Sequence, residues 1–315
     1  DFGERDTALH NANLIANMEY NIPVVYAGNV ENQEEIREIY KDKKSKLYIV
    51  DNVYPKIDEL NIEPTRKVIQ KAFEEHIVHA PGMSKVRQLV TGPIIPTPGA
   101  VMEASKLLKS SIGDLVTIDV GGATTDIHSV TDGSEDIKRI LLNPEPEAKR
   151  TVEGDLGVYV NMVNIVDRIG MEILSEKLGQ SVEELMRFHK PIPDTPDLIR
   201  FVEALTKEAL LTAINRHVGK LRNLYGPTGK KAMAEGKDLT NIKWIVGTGG
   251  ALTRLPQRVE LLKQIYSQNK GDKLLPNSDA KIVIDNFYIM ASLGVLSKKY
   301  PEAALILLKQ SLSIE

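Results

Sequence analysis

The chain has 315 residues, 42% hydrophobic and 26% charged, with 40 basic against 43 acidic side chains and a formal net charge of −3. This length exceeds one average domain, so two domains or one large bilobal unit is expected. Basic runs such as Lys41–Lys44 are short and broken by acids, which argues against a nucleic-acid groove. No apolar stretch reaches the roughly 20 residues needed to span a bilayer, and the absence of Cys excludes disulfides and thiolate metal sites. A cytoplasmic protein fits these limits best.

In chain order, the first element is a helix near residues 7–20, entered directly from Asp6-Thr7. An α/β domain usually begins with a strand, so further N-terminal sequence is expected before residue 1. A buried strand follows at 24–28, a charged helix at 31–42 and a second strand at 47–50, an alternation that predicts a parallel sheet. Pro64 opens an apolar-periodic helix through Phe73, and Pro96-Thr97-Pro98-Gly99 precedes another at Ala100–Leu108. Beyond Gly113 come strands at 115–120 and 124–130 with a Gly121-Gly122-Ala123 turn between them, and a third near Ile137–Leu142. Residues 156–236 read as mostly helical. Strands at 244–246 and 281–284 flank a helix near 256–268, and two helices close the chain.

The most specific segment is Ile118-Asp119-Val120-Gly121-Gly122-Ala123-Thr124-Thr125-Asp126. A hairpin that turns through Gly-Gly-Ala leaves backbone N–H groups unpaired, and such groups cradle phosphate oxygens. Asp119, at the end of a buried strand, is a carboxylate suited to Mg²⁺ held through water, and Thr124 and Thr125 add hydroxyls. An ordinary glycine hairpin is the plain alternative. A second glycine cluster, Gly247-Thr248-Gly249-Gly250-Ala251, ends another apolar strand; glycines there would let a ring or sugar approach the backbone. It lacks the spacing of a dinucleotide fingerprint. In a third segment, Gly99, Ala100 and Ala104 put small residues on one helix face, which suits close helix packing.

Other features carry less. Gly226-Pro227-Thr228-Gly229-Lys230-Lys231 has short glycine spacing and no Ser/Thr after the lysine, so it reads as a surface loop and not a P-loop. His76 and His79 share a helix face without a third zinc ligand. Glu153 and Asp155 are carboxylates at a glycine-flanked helix entry, either site residues or favourable helix-terminal acids.

The order Pro-Thr-small-small helix, Asp-x-Gly-Gly-x-Thr-x-Asp hairpin and Gly-x-Gly-Gly turn, from Pro96 to Ala251, resembles the Hsp70 ATPase domain. Tyr288-Ile289-Met290-Ala291-Ser292-Leu293-Gly294 is similar to the closing helix of that superfamily. More narrowly, Asp119–Val130, Lys149–Gly157 and Leu9-His10-Asn11-Ala12 are similar to the glutamate mutase accessory protein family of MutL/GlmL type, over nearly the whole chain. The resemblance implies a bilobal actin-like (ribonuclease H-like) α/β ATPase fold. Residues 1–105 would be the remnant of lobe I, 106–285 lobe II with a helical insertion at about 156–240, and 286–315 the closing helices. It further implies ATP/ADP and Mg²⁺ as cofactors, and adenosylcobalamin-dependent mutase or aminomutase subunits as partners to be reactivated by exchange of damaged cobalamin.

On this reading Asp119 places the metal, Asp126 and Glu153 are further candidate catalytic carboxylates, and Gly121, Gly122, Ala123, Thr124 and Thr125 meet phosphate. Gly247, Thr248, Gly249, Gly250, Ala251 and Arg254 shape the adenosine pocket. The sequence departs from the superfamily in two places. Asp1-Phe2-Gly3 only mimics the first phosphate loop, since Thr7 falls too late and a helix follows; and Ile95 stands where Hsp70 carries a Glu before Pro-Thr. A small-molecule kinase and a non-hydrolysing actin-like scaffold are the competing readings.

Overall fold

The computed structural model describes residues 5–18, 20–56, 59–77, 83–92, 94–226, 229–268 and 271–314. Asp1–Gly3, His79 and Pro227-Thr228, singled out above, lie outside these. The chain forms two compact units, Asp1–Ile95 and Pro96–Glu315.

In the first unit the described elements are α1 (Arg5–Ala16), β1 (Val24–Tyr26), α2 (Gln33–Tyr40), β2 (Leu47–Ile49), α3 (Glu63–Ile77) and α4 (Met83–Leu89). β1 and β2 pair in parallel, Val24 opposite Leu47 and Tyr26 opposite Ile49, as the helix–strand alternation predicts. Ile36 and Tyr40, four residues apart on one face of α2, pack with Ala12 and Ala16 of α1, while Glu34, Glu35 and Arg37 turn outward.

The second unit begins with α5 (Thr97–Ile112), β3 (Leu115–Val120), β4 (Thr125–Val130), α6 (Glu135–Lys138) and β5 (Ala148–Glu153). Four helices follow: α7 (Met162–Ile169), α8 (Met171–Leu178), α9 (Val182–Phe188) and α10 (Pro196–His217). Then come β6 (Lys220–Gly226), β7 (Gly229–Glu235), β8 (Trp244–Thr248), α11 (Gly249–Arg254), α12 (Arg258–Lys263), β9 (Lys281–Ile284), α13 (Met290–Leu296) and α14 (Pro301–Ser311). Five strands form one sheet in the order β5-β4-β3-β8-β9, antiparallel across β5-β4-β3 and parallel across β3-β8-β9.

Strand periodicity sorts β3 onto two cores. Val116, Ile118 and Val120 join Ile127, Phe201, Leu205 and Leu210 in the core that includes α10. Leu115 faces the other way, into a core with Val101 and Leu108 of α5, Met290 of α13 and Leu308 of α14. The sheet is thus the middle of three layers. α5 and α13 meet backbone to backbone. A Cβ on Gly294 would collide with the Ala100 carbonyl, 2.6 Å from its carbon and 3.2 Å from the Ala104 nitrogen. The small residues read from the sequence at Ala100 and Ala104 therefore serve a helix crossing.

Three expectations need correction. The third strand is not Ile137–Leu142 but β5. Ser134 caps a short helix there by accepting the Ile137 N–H at 3.3 Å, and Leu141 makes only an isolated bridge to Ala234. β5 escapes an apolar search because it is an edge strand carrying Lys149, Arg150 and Glu153, and an edge tolerates charge. Residues 220–235 are a β-hairpin and not helix. Gly219 and Gly236 cross at its base so closely that a Cβ on Gly219 would lie 2.6 Å from the Glu235 carbonyl oxygen. The P-loop-like glycines Gly226 and Gly229 pair across the end of that hairpin, and a strand follows where a P-loop needs a helix. Last, the helix near 256–268 is shorter, Arg258–Lys263 with a 3₁₀ turn at Tyr266–Gln268.

Candidate functional site

Asp119 and Asp126 are cross-strand partners at the ends of β3 and β4, as are Val120 and Thr125. The four residues between the strands close a tight turn in which the Gly121 N–H donates to the Thr124 carbonyl at 2.9 Å. The segment 154–161, entering α7, clasps this turn from behind. The Val158 N–H donates to the Gly121 carbonyl at 3.2 Å, and the Tyr159 and Val160 N–H groups donate to the Gly122 carbonyl at 2.9 and 2.7 Å. Asn161 Nδ2 donates to the Ala123 carbonyl at 2.8 Å. Gly157 lies flat against Ala123, and a Cβ there would sit 2.6 Å from the Ala123 Cα. The clasp therefore engages the carbonyls of Gly121, Gly122 and Ala123. Among the described residues nothing accepts from the N–H groups of Gly122, Ala123 and Thr124, and Gly122 and Ala123 are exposed. Consecutive free amides of this kind form an anion-binding concavity.

The threonines beside the turn are committed elsewhere. Thr124 Oγ1 donates to Asp126 Oδ2 at 2.9 Å, and the fully buried Thr125 Oγ1 donates to the Leu156 carbonyl at 2.7 Å. Asp126 is 3% exposed and its other oxygen, Oδ1, has no partner. Burial raises its carboxyl pKa, against the lowering effect of the Thr124 hydrogen bond and the Arg150 charge. Asp119 is pushed up to about 7, chiefly by burial and further by the negative charges of Asp126 and Asp285. Asp285 ends β9. It accepts the Thr248 hydroxyl at 2.9 Å, the Met290 N–H at 2.9 Å and the Ser311 hydroxyl at 2.5 Å, and so anchors the entry to α13. Among the described residues no three His, Asp or Glu side chains converge as a direct metal cage. A cation at Asp119 would complete its shell with water and ligand oxygens, which suits Mg²⁺.

The second glycine cluster joins β8 to α11, and its glycines differ. Gly247 packs under Ile284 and Leu262, each 2.9 Å from where a Cβ would be. Gly249 adopts φ +86° and presses on the Asp119 carboxylate, with the Val120 carbonyl oxygen 2.5 Å from its Cβ direction. A side chain at Gly249 would therefore collide with Asp119 and Val120. Gly250 is the open one, with nothing within 4 Å.

Gly122 and Gly250 line the same cavity of about 400 Å³, together with Ala251, Arg254, Tyr159, His189, Pro191, Ile192 and Tyr288. Both glycine turns flagged in the sequence thus meet in one cleft, whereas Thr125 and Thr248 lie beneath it with their hydroxyls engaged. His189 stands edge-on to Tyr159 and Phe201, with Nε2 2.9 Å from the Val158 carbonyl, which fixes the proton on that nitrogen. Burial lowers its pKa, keeping it neutral. Tyr288 sits in left-handed backbone, φ 54°, and burial with nearby Asp119 and Asp285 raises its phenol pKa.

Glu153 and Asp155 are held by one residue. Arg216 reaches Glu153 at 2.5 Å and grips Asp155 through both terminal nitrogens at 2.8 and 2.9 Å. Sequence reasoning missed Gly157, Tyr159, Asn161, His189 and Tyr288 as site residues. The Gly154-Asp155-Leu156-Gly157 run was the available signal for the clasp.

The profile of the MutL protein family matches residues 1–312. Protein MutL of Clostridium tetanomorphum is 36% identical over 328 aligned residues, an alignment covering 99% of this chain and 71% of that protein. No helix among the described residues is long and apolar enough to cross a membrane.

Proposed function

The chain belongs to the MutL protein family, the glutamate mutase accessory family that its motifs resemble, and on that premise we propose that it is an ATP-dependent reactivating factor for an adenosylcobalamin-dependent mutase or aminomutase. In this reading the fold is a bilobal actin-like ATPase. The phosphates of ATP or ADP lie on the Gly122, Ala123 and Thr124 N–H groups, and the nucleoside occupies the cavity between Gly122 and Gly250. Arg254, Tyr159 and Tyr288 supply its walls.

The observation that carries the proposal is the row of three free amides whose carbonyls are all held on the opposite side. Anion binding there must coexist with Asp119 and Asp126. Two buried carboxylates would repel a polyphosphate unless a cation lay between them and the phosphates. Mg²⁺, when bound, would neutralise phosphate charge, with Asp119 holding it through water. Asp126 and Glu153 are the further carboxylates proposed for hydrolysis. Because phosphoryl transfer needs positioning and charge neutralisation more than covalent chemistry, such a site suffices for slow turnover.

The test is a titration of ATP, ADP and adenosine with Mg²⁺, followed by reactivation of a mutase carrying inactivated cobalamin. Nucleotide should bind more tightly than adenosine, and mutase activity should return only with ATP. Absence of nucleotide binding, or recovery independent of ATP, would overturn the reading.

A further inference from the structure

We infer that Asn161 is a positioning residue that sets the direction of the last anion-facing amide. The inference rests on the phosphate reading for its ligand, but on geometry alone for its mechanism. A trans peptide unit is planar, with its C=O and N–H pointing in opposite directions. Whatever grips the carbonyl of one residue therefore aims the N–H of the next. In the turn after β3 this gives three pairs. Val158 grips the Gly121 carbonyl and aims the Gly122 N–H; Tyr159 and Val160 grip the Gly122 carbonyl and aim the Ala123 N–H; Asn161 grips the Ala123 carbonyl and aims the Thr124 N–H.

The first two pairs are held by backbone, which no substitution short of proline removes. The third depends on one side chain. Asn161 is bound for this role at both of its amide hydrogens, since Nδ2 also donates to the Gly154 carbonyl at 2.8 Å. Two carbonyl oxygens at that distance require the nitrogen and exclude the amide oxygen, so the orientation of the group is fixed. Gly157 leaves the room: with no Cβ it lets the clasp lie against the Ala123 peptide.

Without Asn161, the Ala123–Thr124 peptide loses its side-chain anchor. Reversed, it would present a carbonyl oxygen to the anion in place of an N–H, replacing attraction by repulsion. Asn161→Asp goes further, because a carboxylate would face two carbonyl oxygens.

The test compares wild type, Asn161→Ala and Asn161→Asp by titration with ADP, pyrophosphate and adenosine, and by crystal structures of wild type and the Ala variant. We expect ADP and pyrophosphate affinity to fall at least tenfold in the Ala variant and further in Asp, while adenosine affinity changes less than twofold. The Ala123–Thr124 peptide should be reversed or split between two orientations in the variant crystal. Equal losses for ADP and adenosine, or unchanged ADP affinity, would overturn the inference. If wild type binds neither ADP nor pyrophosphate, the ATP reading fails by itself, and the peptide orientation in the two crystals still decides the role of Asn161. Should the Ala variant not fold, Asn161→Ser is measured in its place against the same outcomes.

Discussion

At the turn after β3 Gly122 and Ala123 are exposed, and the backbone is held from behind by a clasp more than thirty residues further along the chain. At the turn after β8 two of the three glycines are inside: Gly247 lies under Ile284 and Leu262, Gly249 supports Asp119 and Val120, and only Gly250 faces open space. The first turn spends its glycines on presenting N–H groups, the second on letting two strands' ends come close enough to share a carboxylate. A glycine cluster is thus not one kind of evidence. What each glycine is for depends on which atoms a Cβ would meet.

Gly249→Val breaks the contrast most severely. A β-branched side chain at φ +86° against the Val120 backbone is strained and sterically blocked, so a loss of about 3 kcal/mol or more is expected, read as a lower denaturation midpoint or insoluble protein. A stable variant would mean that this turn is open after all.

Asp119→Asn sharpens the role of the carboxylate between the turns. In the folded chain burial pushes the Asp119 carboxyl up to about 7, well above an unfolded aspartate, so the folded state binds the extra proton. Its stabilising contribution is complete below the unfolded pKa and is lost as pH rises through the folded one. Wild type should therefore lose on the order of 4 kcal/mol relative to the Asn variant between acidic pH and pH 8. Parallel stability profiles for the two proteins would remove Asp119 from that role. Mg²⁺, which favours the ionised form, should narrow the difference.

Gly250→Val leaves stability within about 1 kcal/mol, because the Cβ enters open space, yet adenosine and ADP affinity should fall about tenfold or more by calorimetry. Normal affinity would place the nucleoside outside the cavity. The smallest effect is expected for Glu153→Gln, which removes one of two partners of the half-exposed Arg216. Denaturant unfolding should show a loss below about 1 kcal/mol, and a larger one would mean that the clasp is anchored by Glu153 more than by Asp155.

What the sequence made legible was local. Asp119, Gly121 and Gly122 stand within one hairpin, so strand pattern and turn chemistry sufficed to place them. Small residues at Ala100 and Ala104 announced a close helix contact, and Gly294 of α13 is its partner. Most of the clasp was not legible, because at Val158, Tyr159 and Val160 it works through backbone N–H groups that every residue carries; nothing in these residue types says that their amides hold Gly121 and Gly122. His189 and Tyr288 reach the cavity from elements remote in sequence, and no spacing rule links them to Gly250. β5 was hidden by its charges, and the 220–235 hairpin by its polar alternation, since an edge or a two-stranded ribbon needs no apolar run.

The Gly294–Ala100 crossing has a mechanical consequence. Most helix pairs are separated by side chains, which change rotamer and absorb small displacements like a cushion. Here main chain rests on main chain, and there is no cushion. α13 can roll about that point or lift off it, but it cannot sink toward α5. Its entry is tied to the end of β9 through Asp285, whose other contacts are Thr248 of β8 and Ser311 of α14. A displacement at the strand ends therefore arrives at α5 as rotation about a fixed fulcrum, with no side chain to soften that last contact.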